Sequence, residues 1–118
     1  MQHLLRIDEL PDAAMDAATD YYRVWQEKVT HLLDTFSDEQ ADKQDSLVII
    51  MAPAGYDHDD WRRAIARDLA RAYAPLRINL VAGDDGPALD QTLSYLVSAP
   101  GITGQYLQLA GTNAQESA

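Results

Sequence analysis

The chain has 118 residues, of which 9 are Lys or Arg and 19 are Asp or Glu, and this gives a formal net charge of −10. This balance argues against nucleic-acid binding, because phosphate recognition needs a basic surface. The 47% hydrophobic and 24% charged content is typical of a globular domain. Without cysteine there is no disulfide, thiolate zinc site or thiol nucleophile. No apolar run approaches the roughly 20 residues of a membrane span, so we expect a cytoplasmic protein with no membrane partner.

The N-terminal part predicts one strand and one long helix. The short apolar segment 3–7 is typical of a strand. From 15 to 36, apolar residues recur at steps of three and four, which predicts an amphipathic helix. Ala14, Tyr21 and Val24 widen its apolar stripe. This helix therefore has more apolar surface than one contact needs.

The middle of the chain predicts a buried strand between a loop and a second helix. Segment 37–46 is charged and aperiodic, and is predicted to be a surface loop. Segment 47–51 is an unbroken apolar run rich in β-branched residues, which indicates a strand covered on both faces and favours a parallel sheet. The second helix is predicted over 61–73, with its start among the acidic residues of 57–60.

The C-terminal part completes an alternating pattern. A third strand is predicted over 77–81, a third helix over 89–97 and a fourth strand over 106–109. The order βαβαβαβ predicts a small Rossmann-like α/β domain with a four-stranded parallel sheet. We expect residues 1–111 to form this single domain and 112–118 to be a disordered tail.

The predicted helices do not cover both faces of this sheet in the simplest topology. Right-handed crossovers in the strand order 1-2-3-4 would place all three helices on one face and leave the other bare. A bare face conflicts with the apolar middle strands. Either the third helix covers the second face through an unusual crossover, or a partner does.

Two stretches of the C-terminal half resemble the short-chain dehydrogenases/reductases (SDR). Segment 69–83 looks like the helix, Ala-Pro, Arg-Val-Asn strand and Pro-Gly loop near the C-terminal end of that family. Segments 93–98 and 102–111 are similar to its YL-S helix, and to its ITGQ turn with the final strand. The first half matches by pattern as the family's fourth strand, fourth helix and fifth strand. The resemblance implies a truncated relative, equivalent to the C-terminal half of the SDR fold.

The family's cofactor-binding turn has no counterpart in this chain. That turn, Thr-Gly-x-x-x-Gly-x-Gly, lets the backbone approach a dinucleotide at a helix N-terminus. The 6 glycines of this sequence do not make that spacing, and no acidic residue is placed for a ribose. We therefore expect no nicotinamide cofactor.

The family's catalytic residues are also missing from the matching positions. The family uses a Tyr with a Lys four residues later, and a Ser ahead of both. Two alignments place either Tyr56 and Asp60, or Gly55 and Asp59, at the Tyr and Lys positions. In both, an aspartate replaces the lysine, and an aspartate raises rather than lowers the pKa of a neighbouring phenol. The Ser position holds Ala or Pro (52–53), so we expect no catalytic residue and predict a pseudoenzyme.

Other charged clusters favour structural over chemical interpretations. Segment 56–60 offers ligands for Mg²⁺ or Mn²⁺, but acids at a helix N-terminus explain it better, and we predict no metal. Segment 84–86 resembles the start of a calcium loop without the distal Glu, and a plain turn is the better interpretation. The arginines of the second helix either bind an anion or, as we favour, form a solvated face paired with aspartates. These arginines are Arg62, Arg63, Arg67 and Arg71.

The surplus of aromatic residues on the helices predicts an interface. In the SDR family the fourth and fifth helices pack against the same pair of a second subunit, and aromatic anchors are favoured in interface cores. We therefore predict a non-catalytic interaction module that dimerises with an identical chain or with a full-length SDR-type oxidoreductase. The candidate interface residues are Tyr21, Tyr22, Trp25, Val29, Trp61, Ile65 and Leu69. The alternative is a small-molecule-binding or enzymatic domain that reuses the cleft at the strand C-terminal ends, near 52–56 and 82–86.

Overall fold

The computed structural model describes residues 1–38 and 45–109. Its sheet contains four parallel strands in the order β1-β2-β3-β4. The strands are β1 (Gln2–Ile7), β2 (Ser46–Met51), β3 (Arg77–Ala82) and β4 (Tyr106–Gln108). The helices are α1 (Ala14–Asp20), α2 (Gln26–Asp38), α3 (Asp59–Ala72) and α4 (Pro87–Val97), with a π-helical turn at Tyr21–Trp25 and a 3₁₀ turn at Tyr56–His58.

The predicted Rossmann-like α/β architecture is confirmed. The first predicted helix corresponds to α1, the π-helical turn and α2, and it continues to residue 38, two residues into the segment predicted as a loop. The start of α3 at Asp59 lies among the acidic residues where a start was expected. At its other end the predicted loop is also shorter than expected, because β2 begins at Ser46. Residues 39–44 of that loop and the predicted tail (112–118) lie outside the described residues.

The strand β2 contributes alternate side chains to two hydrophobic cores. Leu47 and Ile49 belong to the first core, on the face covered by α2 and α3, whereas Val48 and Ile50 belong to the second. All six residues of β2 and all six of β3 are buried. Their burial on both sides explains the unbroken apolar run of β2.

The helix α4 lies on the opposite face of the sheet from α3. Leu89 and Leu96 of α4 pack into the second core, whereas Ile65 and Leu69 of α3 pack into the first. Both connections step in the same direction across parallel strands, so helices on opposite faces require crossovers of opposite hand. One of the two is therefore the rare left-handed form. The third predicted helix, α4, therefore covers the second face of the sheet over the middle strands. This confirms the unusual crossover as the alternative that applies there.

The π-helical turn sets the orientation of the first helix on the sheet. The amide of Gln26 donates to the carbonyl oxygen of Tyr21, five residues earlier. In a regular α-helix, eight residues would place Val29 about 80° around the axis from Tyr21. The wider turn rotates the chain less per residue, and Tyr21, Val29 and Leu33 are all fully buried in the first core. Periodicity alone predicts a regular helix and misses this turn.

The strand β1 forms one edge of the sheet. On the face that α4 covers elsewhere, its Leu4 side chain remains half exposed. Its Arg6 forms an ion pair with Asp85, in the loop after β3. None of the helices within residues 1–38 and 45–109 is long and apolar enough to cross a membrane.

Candidate functional site

The residues aligned with the SDR catalytic pair lie before and within the first turn of α3. The Tyr56 side chain is 87% exposed. Asp60 is also exposed, and Asp59 accepts a hydrogen bond from Nε2 of Gln108 at 2.6 Å. The two lysines of the chain are at positions 28 and 43, remote in sequence from this turn. The helix α3 contains no lysine, so it offers no ammonium group to Tyr56.

The acidic start of α3 is engaged in ion pairs on the helix itself. The guanidinium of Arg63 lies 3.6 Å from a carboxylate oxygen of Asp59 and 3.9 Å from one of Asp60. These carboxylates also occupy the first turn, where they complement the helix dipole. No cluster of three or more metal-ligating side chains occurs in the described part of the chain.

A cavity of about 320 Å³ opens at the carboxyl ends of β1 and β2. Its walls come from the loops after these strands and from the start of α3. The lining includes apolar Ile7, Leu10 and Pro53 and the charged side chains of Glu9, Asp12 and Arg62. Small-molecule sites usually measure roughly 300 to 1,000 Å³, and open parallel sheets bind ligands at the carboxyl ends of their strands. Residues 52–55 of the predicted alternative cleft line this cavity, whereas its residues 56 and 82–86 do not.

His58 joins two walls of this cavity and is buried. Its Nε2 lies 2.9 Å from the carbonyl oxygen of Asp12, and the indole Nε1 of Trp61 lies 3.1 Å from its Nδ1. Because a carbonyl oxygen only accepts and an indole N–H only donates, Nε2 carries the proton and Nδ1 accepts. Both ring nitrogens of the neutral imidazole are therefore engaged within the protein.

Arg62 lines the same cavity and is only 3% exposed. Its Nη1 donates to the carbonyl oxygen of Ala52 at 3.0 Å and to the hydroxyl of Tyr106 at 3.1 Å. The rings of Trp61 and Tyr106 lie 5.5 and 5.8 Å from its guanidinium carbon. Within residues 1–38 and 45–109, no carboxylate lies within 4 Å of Arg62, and its Nε has no acceptor. Arg62 is thus a buried cation without a countercharge in that part of the chain.

The interpretation of Arg62 as part of a solvated arginine face is wrong. Arg62 shares the inner side of α3 with Ile65, Ala66 and Leu69, at positions i, i+3, i+4 and i+7, and this side faces the sheet. Arg63, one position on, is exposed and paired as predicted. The helical spacing between Arg62 and these apolar residues was the signal in the sequence that could have identified Arg62 as buried.

The predicted interface residues fall into two groups. Four are buried in the first core, at 3% exposure or less: Tyr21, Val29, Ile65 and Leu69. They attach the helices to the sheet and offer no surface to a second molecule. Tyr22 is 52% exposed, and Trp25 and Trp61 are partly exposed while packing against the core. The accessible part of the predicted interface is therefore Tyr22, Trp25 and Trp61.

Tyr21 sits at the centre of an aromatic contact between the π-helical turn and α3. Its ring lies 5.3 Å from that of Tyr22, edge to face, and 6.0 Å from that of Trp61. Its hydroxyl is buried and has no hydrogen-bond partner among the described residues. Burial, with a further contribution from Tyr22, raises the pKa of the Tyr21 hydroxyl well above its ordinary value.

Comparison with known protein families matches residues 5–109 to the SDR-like family, described as short chain dehydrogenase-like protein. Neither the curated proteins nor the solved structures return a match. The matched range includes all of α1 to α4, all of β2 to β4 and the second half of β1. The four-stranded parallel α/β sheet agrees with this assignment. The chain therefore belongs to the SDR-like family, as its C-terminal segments predict.

Proposed function

We propose that this chain is a non-catalytic SDR-like domain that associates with a second protein chain through its first helix. The observation that carries the proposal is an apolar stripe along that helix whose side chains remain partly or largely exposed. We call it the outer stripe, and its residues are Met15, Ala18, Tyr22 and Trp25.

The outer stripe is distinct from the buried side of the helix. Met15, Ala18 and Tyr22 follow the spacing i, i+3 and i+7 of one helix side. Trp25 follows at the end of the π-helical turn, partly exposed and partly packed against the first core. Met15 is 83% exposed and Tyr22 52% exposed, whereas Ala17 and Tyr21 are fully buried. A helix that packs on one sheet needs one apolar side, and a second one with a large aromatic side chain is suited to a partner.

The outer surface of α3 does not extend this apolar surface. It carries Arg63, Arg67, Asp68 and Arg71, all exposed. Antiparallel pairing of α3 with its copy would bring arginines of the two chains together at a cost in electrostatic free energy. We therefore centre the contact on the first helix, with a second copy of this chain as the partner. A full-length SDR-type oxidoreductase is the second candidate partner.

The non-catalytic assignment rests on the residues at the family's functional positions. Aspartate replaces lysine in both alignments, and the Tyr56 side chain projects into solvent with 87% exposure. A cytoplasmic location stays a prediction from composition. Titration with NADH and NADPH, followed by the fluorescence of Trp25 and Trp61, tests the assignment. We expect no saturable change, and micromolar binding of either dinucleotide would overturn it.

Sedimentation velocity tests the proposed association. We expect the wild type to sediment as a dimer and Tyr22→Asp as a monomer, because the substitution places a charge in the outer stripe. Tyr95→Asp is the matched control, since Tyr95 is 58% exposed on α4, on the other face of the sheet. A monomeric wild type at several hundred micromolar, or equal dissociation of both variants, would sink the proposal.

A further inference from the structure

The buried guanidinium of Arg62 has one unused edge. Both of its hydrogen bonds to the protein come from Nη1. Among the described residues, Nε is buried without an acceptor and Nη2 makes no hydrogen bond. Because Nε is shielded from solvent, Nη2 is the donor left to a ligand. Burial of a cation without a countercharge is costly. A negatively charged ligand would remove that cost.

The other residues of the cavity restrict which anion fits. Ile7, Leu10 and Pro53 provide apolar wall, and His58 has no free ring nitrogen for a ligand. The exposed carboxylates of Glu9 and Asp12 also line the cavity. Two negative charges disfavour a dianion such as phosphate more strongly than a monoanion. The lining therefore suits one carboxylate on an apolar body.

We propose that this cavity binds a small organic monocarboxylate. The ligand carboxylate accepts a charge-assisted hydrogen bond from Nη2 of Arg62, and the apolar body packs against the wall formed by Ile7, Leu10 and Pro53. Arg62 is the recognition residue because it is the arginine among the described residues that line this cavity. The proposal is independent of dimerisation and of any catalysis.

Calorimetric titration with benzoate tests the proposal. Benzamide is the matched control, because it has nearly the same shape without the charge. We expect benzoate to bind at least about tenfold more tightly than benzamide and than inorganic phosphate, the size of effect that one charge-assisted hydrogen bond gives. Equal binding of benzoate and benzamide, or tighter binding of phosphate, would overturn the proposal.

Two variants assign the binding to this cavity. Arg62→Gln should weaken benzoate binding at least about tenfold, whereas Arg67→Gln, on the exposed side of α3, should leave it unchanged. Asp12→Asn provides a readout even where Arg62→Gln does not fold, because Asp12 contacts His58 through its main chain. It should tighten benzoate binding severalfold and leave benzamide binding unchanged, since it removes a like charge. Benzoate affinity unaltered by Asp12→Asn, or unaltered in a folded Arg62→Gln protein, would contradict the assignment.

Discussion

The indole nitrogen of Trp61 donates a hydrogen bond to Nδ1 of His58 at 3.1 Å, while Nε2 of the same imidazole bonds the carbonyl oxygen of Asp12 at 2.9 Å. The loop after β1 is thereby attached to the start of α3 by a side chain 46 residues distant in sequence. Both hydrogen bonds are partly buried. This attachment holds two walls of the cavity at a defined separation.

Replacement of His58 should destabilise the fold. His58→Ala leaves the Asp12 carbonyl oxygen and the Trp61 indole without partners, and the cost of unpaired buried polar groups is about 1–3 kcal/mol. Urea unfolding measures the change in free energy of unfolding. His31→Ala, at an exposed position on α2, is the control and should change stability by no more than about 0.5 kcal/mol. Equal stability of the two variants would mean that the His58 contacts contribute nothing.

Removal of the Tyr21 hydroxyl should stabilise the protein. The hydroxyl is buried without a partner in the described part of the chain, and an unpaired buried hydroxyl costs about 1–3 kcal/mol. We therefore expect Tyr21→Phe to raise the free energy of unfolding by about 1 kcal/mol. The neighbouring exposed residue offers a control, Tyr22→Phe, which should be neutral within about 0.5 kcal/mol. A loss of stability in Tyr21→Phe would contradict this account of the site.

The free energy of unfolding should fall at alkaline pH because of Tyr21. The pKa of the Tyr21 hydroxyl is raised in the folded protein, so the folded state keeps a proton that the unfolded chain releases near pH 10. The stabilisation is complete below pH 10 and is lost as pH rises from 10 toward the folded pKa. Unfolding free energies between pH 8 and 11.5 should decline by up to about 1.4 kcal/mol for each pH unit above 10 from this residue. Tyr21→Phe should have a shallower decline.

Some alkaline sensitivity should survive in Tyr21→Phe. Partial burial, and then the hydrogen bond that the Tyr73 hydroxyl donates to Asp34, raise the pKa of Tyr73 as well. This shift also lowers the free energy of unfolding as pH rises above 10, because the folded protein favours the neutral phenol of Tyr73. The double variant with Tyr73→Phe should therefore be the least sensitive above pH 10. An identical pH profile for the wild type and Tyr21→Phe would refute the assignment to Tyr21.

The side chain of Asn79 should stabilise the turn before β4. Its Nδ2 donates to the carbonyl oxygen of Ile102 at 3.0 Å, and its Oδ1 accepts from the amide of Gln105 at 3.0 Å. Asn79→Ala leaves both groups unpaired and should cost about 2–3 kcal/mol, with faster hydrogen exchange at the Gln105 amide. Gln105→Ala keeps that amide and serves as the control, because its side chain is exposed. Unchanged exchange in Asn79→Ala would show that the turn holds without it.

Local sequence pattern determined the elements and their order. The apolar run of β2 and the three-and-four spacing of the helices specify a strand or a helix within a few residues, because side-chain periodicity is a property of neighbouring positions. The C-terminal segments likewise specified the family, since their motifs are contiguous.

Tertiary structure alone decided the features that bear on function. The face covered by α4 depends on the hand of a crossover, which no local pattern encodes. The π-helical turn lies between Tyr21 and Val29, which are buried in the same core. The cavity exists because loops far apart in sequence meet at one edge of the sheet, and Arg62 became a buried cation there because its side of α3 faces that sheet. Such juxtapositions are set by packing between distant residues, and they appear only once the chain is folded.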